Sequence, residues 1–361
     1  MSATKQRIEY FLGANSAEGF VSLYDQWVDQ RTIQAFYTIK GGAGCGKSTL
    51  MNRVAARMDR EGYEVEYIRC SGDPDSLDGI RIPEKGAAMV DGTAPHIMDP
   101  AYTGATGHYI DLGAGYDRKA LFAIREEIVA AVQAYRSCYP QAYRCIRSAK
   151  ESWDRGRKPL RTQETLAKTA KRAEAILKRE LKGTREGRGT GHRRFLHAVT
   201  CQGKVLLEGT VQTLCREGYT IRDDCGLAGD LLTFLEQGFL DRGYDVIACP
   251  SGVDPGRPAH LLIPDRSLAF VTGKVAGTDF RAIRTESLVE KSALVEGKSF
   301  LRLSNRVAEE LLKEGVEHLA RAKENHDILE GLYNPHVDFS LAEEMAERIT
   351  REILALPDTV S

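Results

Sequence analysis

The chain has 361 residues, 42% hydrophobic and 28% charged, with a formal net charge of −1, which is the make-up of an ordinary globular protein long enough for two domains with full cores. No apolar run approaches a bilayer span, the first twenty residues lack the basic-then-apolar order of a secretion signal, and the eight cysteines include no CxxC pair. Those features argue against a membrane protein, a secreted disulfide scaffold and a zinc ribbon, and the expectation is a cytoplasmic protein with reduced thiols.

In chain order, the first informative stretch is AFYTIK (Ala35 to Lys40), apolar and β-rich. It runs into GGAGCGKST, where Gly41, Gly46, Lys47 and Ser48 fill the template GxxxxGK[ST]. Such a loop binds phosphate. Glycines let successive backbone N–H groups turn inward, lysine adds a point charge at the β and γ phosphates, and the serine hydroxyl reaches magnesium. Leu50, Met51, Val54, Ala55 and Met58 then recur at helical spacing until Gly62, so strand, loop and helix stand in the order the motif needs, with the helix dipole behind it. The phosphate-binding residues are therefore expected to be Gly41, Gly42, Ala43, Gly44, Cys45, Gly46, Lys47, Ser48 and Thr49, holding ATP with Mg²⁺. Cys45, inside the loop, is also a candidate regulatory thiol.

After the strand YEVEYIRC comes CSGDPDSLDG, whose Asp73 and Asp75 are candidates for positioning an attacking water or a substrate hydroxyl. They equally suit a plain polar turn. GAAMVDGTAPH ends an apolar run on Asp91, the expected second metal ligand beside Ser48. His96 in the same stretch is a candidate phosphate contact or general acid–base group. Gly92 follows Asp91 where many ATPases carry a catalytic glutamate, and no NKxD, DxxG or LSGGQ motif occurs, which disfavours a GTPase or a transporter ATPase.

Residues 118 to 183 read as helices, Leu166, Ala170, Ala173, Ile176 and Leu177 marking one apolar face. Gln141 to Arg194 holds 17 Lys and Arg against 6 Asp and Glu; this excess is expected to meet acidic residues elsewhere in the chain or an anionic partner. Arg155, Arg157, Lys158 and Arg161 are its densest cluster, read first as a connector, second as a lid over a transferring phosphoryl group, and third as a nucleic-acid contact. Nucleic acid ranks last because the segment lacks interleaved aromatics.

The second half repeats the first. FLHAVTCQGKVLLE from Phe195 matches FLGANSAEGFVSLY from Phe11, LDRGYDVIACPSGVDP matches DREGYEVEYIRCSGDP, Ile263-Pro264 matches Ile82-Pro83, and RAKENHD (Arg321 to Asp327) matches SAKESWD (Ser148 to Asp154). A period this long is a domain duplication. The stretch IRDDCGLAGDLL (Ile221 to Leu232) falls on the phosphate loop, with Gly229 for Lys47, Asp230 for Ser48, and Asp223 and Asp224 for Gly41 and Gly42. Carboxylates there repel a triphosphate by about 1 kcal/mol per charge pair at 4 Å in water, and by several times that in a partly buried site. The second unit is therefore expected to be a scaffold or regulatory partner that does not bind ATP. A cation site at these aspartates is the lesser alternative.

GGAGCGKST, CSGDPDSLDG, IPEKGAAMVDGTAPH and the doubled unit together resemble a family of bacterial tandem P-loop NTPases of ATPase or nucleotide-kinase-like character. The resemblance implies ATP binding on a P-loop fold. The expected architecture is α/β: two tandem P-loop NTPase-like three-layer units with mainly parallel sheets and added helices, over residues 1–190 and 191–361. The leading functional expectation is a slow Mg-dependent ATPase with one active site. The alternatives are a kinase for a nucleotide or small metabolite, and a nucleic-acid-associated ATP-binding module.

Overall fold

A computed structural model of the chain describes residues 7–95, 97–181, 183 and 185–359. In the first half lie β1 (Ile8–Phe11), the hairpin β2 (Gly13–Ser16) and β3 (Gly19–Ser22), β4 (Ala35–Lys40), α1 (Lys47–Glu61), β5 (Glu66–Arg69), β6 (Leu77–Ile82), β7 (Ala87–Asp91), β8 (Gly107–Asp111), α2 (Arg118–Ala123) and α3 (Arg125–Arg157). Next come α4 (Gln163–Glu180), β9 (Gly191–Arg193), the hairpin β10 (His197–Thr200) and β11 (Gly203–Leu206), α5 (Glu208–Leu214), β12 (Glu217–Arg222), α6 (Ala228–Leu240) and β13 (Val246–Pro250). The chain closes with β14 (Pro258–Ile263), β15 (Leu268–Thr272), β16 (Arg281–Arg284), α7 (Lys291–Tyr333) and α8 (Ser340–Ala355).

Two six-stranded sheets result, ordered β1-β5-β6-β7-β4-β8 and β9-β13-β14-β15-β12-β16. Matched strands occupy matched places, and the pairing senses also agree. In each sheet three pairings are parallel and two, those made by β6 or β14, are antiparallel. The sheets are thus mixed but mostly parallel. The antiparallel strand follows from the IPEKG and IPDRS turns, which leave only four residues between Ile82 and Ala87 and between Ile263 and Leu268, far too few for a parallel crossover.

β4 shows why its sequence becomes an inner strand. Flanked by β7 and β8, it buries five of its six residues, as an apolar run in a sheet covered on both faces should. α1 buries Leu50, Met51, Val54, Ala55 and Met58 and stops at Gly62, whose φ of +95° closes the helix with N–H donation to the Asp59 and Met58 carbonyls.

The halves meet through equivalent residues. Phe11 and Phe195 exchange backbone hydrogen bonds, each N–H donating to the other's carbonyl at 2.9 Å, and Asn15 Nδ2 donates to the carbonyl of Val199, its own counterpart in the repeat, at 3.0 Å. Such self-matching contacts are those of an isologous two-fold interface, here between halves of one chain. The long helices α3 and α7 run along each other, burying Ala142, Ile146 and Ala149 with Ala308, Leu312 and Leu319. Gly156 and Gly315 permit this approach, since a Cβ at either would lie 2.5 Å from Ser304 Cβ or 3.2 Å from Ile146.

Beyond these two helices the packing crosses over. α4, from the first half, lays Ala173, Ile176 and Leu177 against α6 and the second sheet. α8, from the second half, lays Ala342, Ala346, Ile349 and Ile353 against α1 and the first sheet. Among the described residues no helix is long and apolar enough to cross a membrane.

Candidate functional site

The loop between β4 and α1 stands at the edge of the first sheet. Gly44 and Gly46 take φ values of +67° and +91°, a left-handed backbone that glycine adopts without strain. β7 lies beside β4 with Asp91 in register with Ile39, so the carboxylate emerges next to the loop. Lys47 Nζ is 3.7 Å from Asp91 Oδ2 and donates to the carbonyls of Gly41 (3.0 Å) and Gly42 (2.6 Å). The other oxygen of Asp91, which is a buried residue, accepts from the N–H and hydroxyl of Thr93 at 2.9 and 2.7 Å. Ser48 Oγ accepts from the Leu77 N–H at 3.1 Å, and this joins the start of β6 to the loop. Ala43 is half-buried and Thr49 exposed. Cys45 is buried beneath the loop, and a Cβ at Gly41 would lie 2.4 Å from its Sγ.

Sequence reasoning missed the residues that cover this loop. The Gly42 N–H donates to Tyr116 Oη at 2.6 Å, and Tyr116 packs against Tyr333 at the end of α7 with ring centroids 5.6 Å apart. A Cβ at Gly44 would meet the side-chain amide of Asn334 at 2.4 Å and Glu330 Cα at 3.3 Å. α7 thus ends directly over the loop. Its face there also carries His326, Asp327 and Glu330, whose ligand atoms lie within 4.8 Å of one another.

The remaining candidates have separate surroundings. Asp73 Oδ2 is 3.4 Å from Lys323 Nζ on α7, and its Oδ1 accepts from the Asp75 N–H at 3.2 Å. Asp75 is exposed and accepts from Gln202 Nε2 at 2.7 Å, beside the β10–β11 hairpin. Lys323 has its repeat counterpart in Lys150, which lies 3.7 Å from Asp254; each Asp-Pro loop is therefore met by the long helix of the other half. The paired SAKESWD and RAKENHD segments were the available signal for this. His96 lies outside the described residues.

At the second loop Asp230 stands where Ser48 stands in the first. Its carboxylate pairs with Arg161 at 2.6 Å and Arg257 at 2.9 Å. Arg257 also donates to the Gly226 carbonyl at 3.1 Å, and a Cβ at Gly229 would meet its Nε at 2.9 Å. Asp223 Oδ1 accepts from the Leu227 N–H and the Thr285 hydroxyl, both at 2.8 Å. Asp230 is thus neutralised by arginines from two other segments, while Asp223 is held by uncharged donors. Arg157 crosses Gly226, where a Cβ would lie 2.4 Å from its Cδ. Two members of the basic cluster, Arg157 and Arg161, therefore face the second loop.

Asp230→Ala is expected to leave Arg161 and Arg257 without their shared carboxylate. Because both arginines are partly exposed, the loss should be modest, about 1–2 kcal/mol. Chemical denaturation checks it.

The fold and site thus define an α/β chain with two mixed sheets and a glycine-rich strand–loop–helix corner in the first. A family model described as Nephrocystin 3, N-terminal, matches residues 21–80, a segment that contains β3 in part, β4, the loop, α1 and β5 and ends within β6. This is a similarity of about a sixth of the chain. No curated protein and no solved structure matches it.

Proposed function

We propose that the chain binds MgATP at Gly41–Thr49 and hydrolyses it slowly, and that its second half is a P-loop-derived partner without a nucleotide. The observation that carries this reading is the approach of Lys47 to Asp91 at 3.7 Å, on the rim of a left-handed glycine loop. A triphosphate would draw the Lys47 ammonium from the Gly41 and Gly42 carbonyls and take the loop amides, including the one that Gly42 now gives to Tyr116. The Ser48 hydroxyl and Asp91 carboxylate are hard oxygen donors, the type that magnesium prefers. Magnesium, when bound, neutralises charge on the β and γ phosphate oxygens. Asp73, tied to α7 through Lys323, is the candidate for orienting the attacking water, and α7 is the element through which nucleotide state would reach the other half.

The tandem P-loop reading is supported by the identical order and pairing senses of the two sheets. Hydrolysis is preferred to a kinase reaction because Arg161, a candidate lid residue, pairs with Asp230, and Arg157 lies across Gly226. Nucleic-acid binding is disfavoured because the basic segment spends much of its charge internally, through pairs such as Lys168 with Glu290, Arg185 with Asp265, and Arg188 with Asp241. The test is phosphate release from MgATP with no acceptor added. Release is expected, and Asp91→Asn should reduce it by about a hundredfold or more. Label moving from the γ position only to an added nucleoside monophosphate or metabolite would replace this reading by a kinase.

A further inference from the structure

A cavity of about 550 Å³ opens between α3, the β10–β11 hairpin and the second loop, a volume typical of small-molecule sites. We propose that it binds a small organic phosphate, the phosphate held by Arg157, Lys204 and Lys274 and the organic part laid against Val205, Leu206 and Pro258. This inference does not rest on the nucleotide reading of the first loop.

One cation at this cavity lacks a counter-ion among the described residues. Arg157 Nε is buried with no hydrogen-bond partner, and its guanidinium, 5.3 Å from the Trp153 ring centroid, has no ion pair among the described residues. Arg157 as a whole is half-buried, and a charge partly withdrawn from water without a partner is unfavourable. Burial accordingly pulls the Arg157 pKa below its ordinary value, although Asp223 favours its charge through space.

The nearby carboxylates make their hydrogen bonds and ion pairs with other groups, while Asp223 and Asp154 act on Arg157 only through space. Lys150 faces both Asp154 and Asp254, at 2.7 and 3.7 Å. Asp223 accepts from Leu227 and Thr285, and Glu208 accepts from the Ala276 N–H at 2.8 Å. Lys204, an exposed residue whose ammonium lies 4.9 Å from the same tryptophan ring, and Lys274 likewise have no ion pair among the described residues. Five cations, among them these three, line the cavity with four carboxylates, a net positive wall that favours an anion such as a phosphate monoester, which carries about −1.5 to −2 charges at neutral pH. The first turn of α6 lines the same space through Ala228 and Gly229, adding the positive end of a helix dipole.

The first half makes the contrast. There the side-chain amide of Asn334 and the Cα and Cβ of Glu330 stand over Gly44, where the Arg157 side chain stands over Gly226. The long helices therefore present different side chains to the two loops, a cation to the second, and Asp223, held by uncharged donors, disfavours a triphosphate there.

Trp27 and Trp153 are the two tryptophans of the chain, so emission from Trp153 reports on the cavity. The full chain is titrated with phenyl phosphate, inorganic phosphate and succinate. Phenyl phosphate is expected to saturate the signal and to bind about tenfold or more tighter than inorganic phosphate, through the apolar wall. Arg157→Gln should weaken it by about tenfold or more and Lys204→Gln by several-fold, with Lys47→Ala leaving it unchanged. The exposed Lys204 provides a second variant should Arg157→Gln fail to fold. The proposal is overturned by any of four outcomes: no saturable response, a response equal in the parent and Lys204→Gln, a response lost in Lys47→Ala, or succinate binding as tightly as phenyl phosphate.

Discussion

Lys47→Ala is expected to weaken MgATP binding by about a hundredfold or more while leaving the thermal midpoint almost unchanged. The first expectation follows from what the lysine offers. Its ammonium pairs with Asp91 at the loop, and it already sits against the two carbonyls that a bound phosphate would displace it from. The second follows from what holds the loop without it: the Gly42 bond to Tyr116, the contact of Gly44 with the end of α7, and the burial of Cys45. Calorimetry with MgATP and a thermal melt on the same variant separate the two effects. A parent-like affinity would remove Lys47 from the site.

Ile349→Ala is expected to destabilise the chain by about 3 kcal/mol, as for a large-to-small change in a closed core. Ile349 is 0% exposed, on α8, yet the residues it packs among belong to α1 and the first sheet, some three hundred positions earlier. With α8 covering α1, denaturant unfolding of the variant shifts its midpoint accordingly, and nucleotide binding at the first loop is expected to weaken too, since Ala342 of the same helix lies where a Cβ on Gly46 would come within 3.4 Å of it. A variant as stable as the parent would contradict this packing. Leu177→Ala makes the mirror test on α4, where Leu177 fits against Gly238 so closely that a Cβ there would lie 2.1 Å from its Cδ1.

These two variants also mark what was legible in the sequence. The strand–loop–helix of β4 and α1 could be read because its signals are local: an apolar run, a glycine template, a helical stripe and a closing glycine. The likeness of the two halves was legible too: the two sheets share one strand order, and Phe11 and Phe195, which align in the sequence, bond to each other. The mainly parallel sheets follow from the alternation of strands and helices, whereas the antiparallel placing of β6 and β14 rests on the short IPEKG and IPDRS turns, which carry no hairpin motif. The placement of α4 and α8 was not legible, because an amphipathic helix shows which face it buries but not against which half of a duplicated chain. Tyr116, Tyr333 and Asn334 were invisible for a similar reason, reaching the loop through contacts distant in sequence. The acidic substitutions at Asp223 and Asp230 were visible, but not the arginines that neutralise Asp230: Arg257 lies in a loop with no motif, and Arg161 sits in a cluster that read as a connector.

The central claim is asymmetry between the two loops, and titration calorimetry of the full chain with ATP and magnesium tests it most directly. The expected result is one nucleotide per chain, lost in Lys47→Ala and retained in Asp230→Ala. Two nucleotides per chain, or a single one that survives Lys47→Ala, would contradict it.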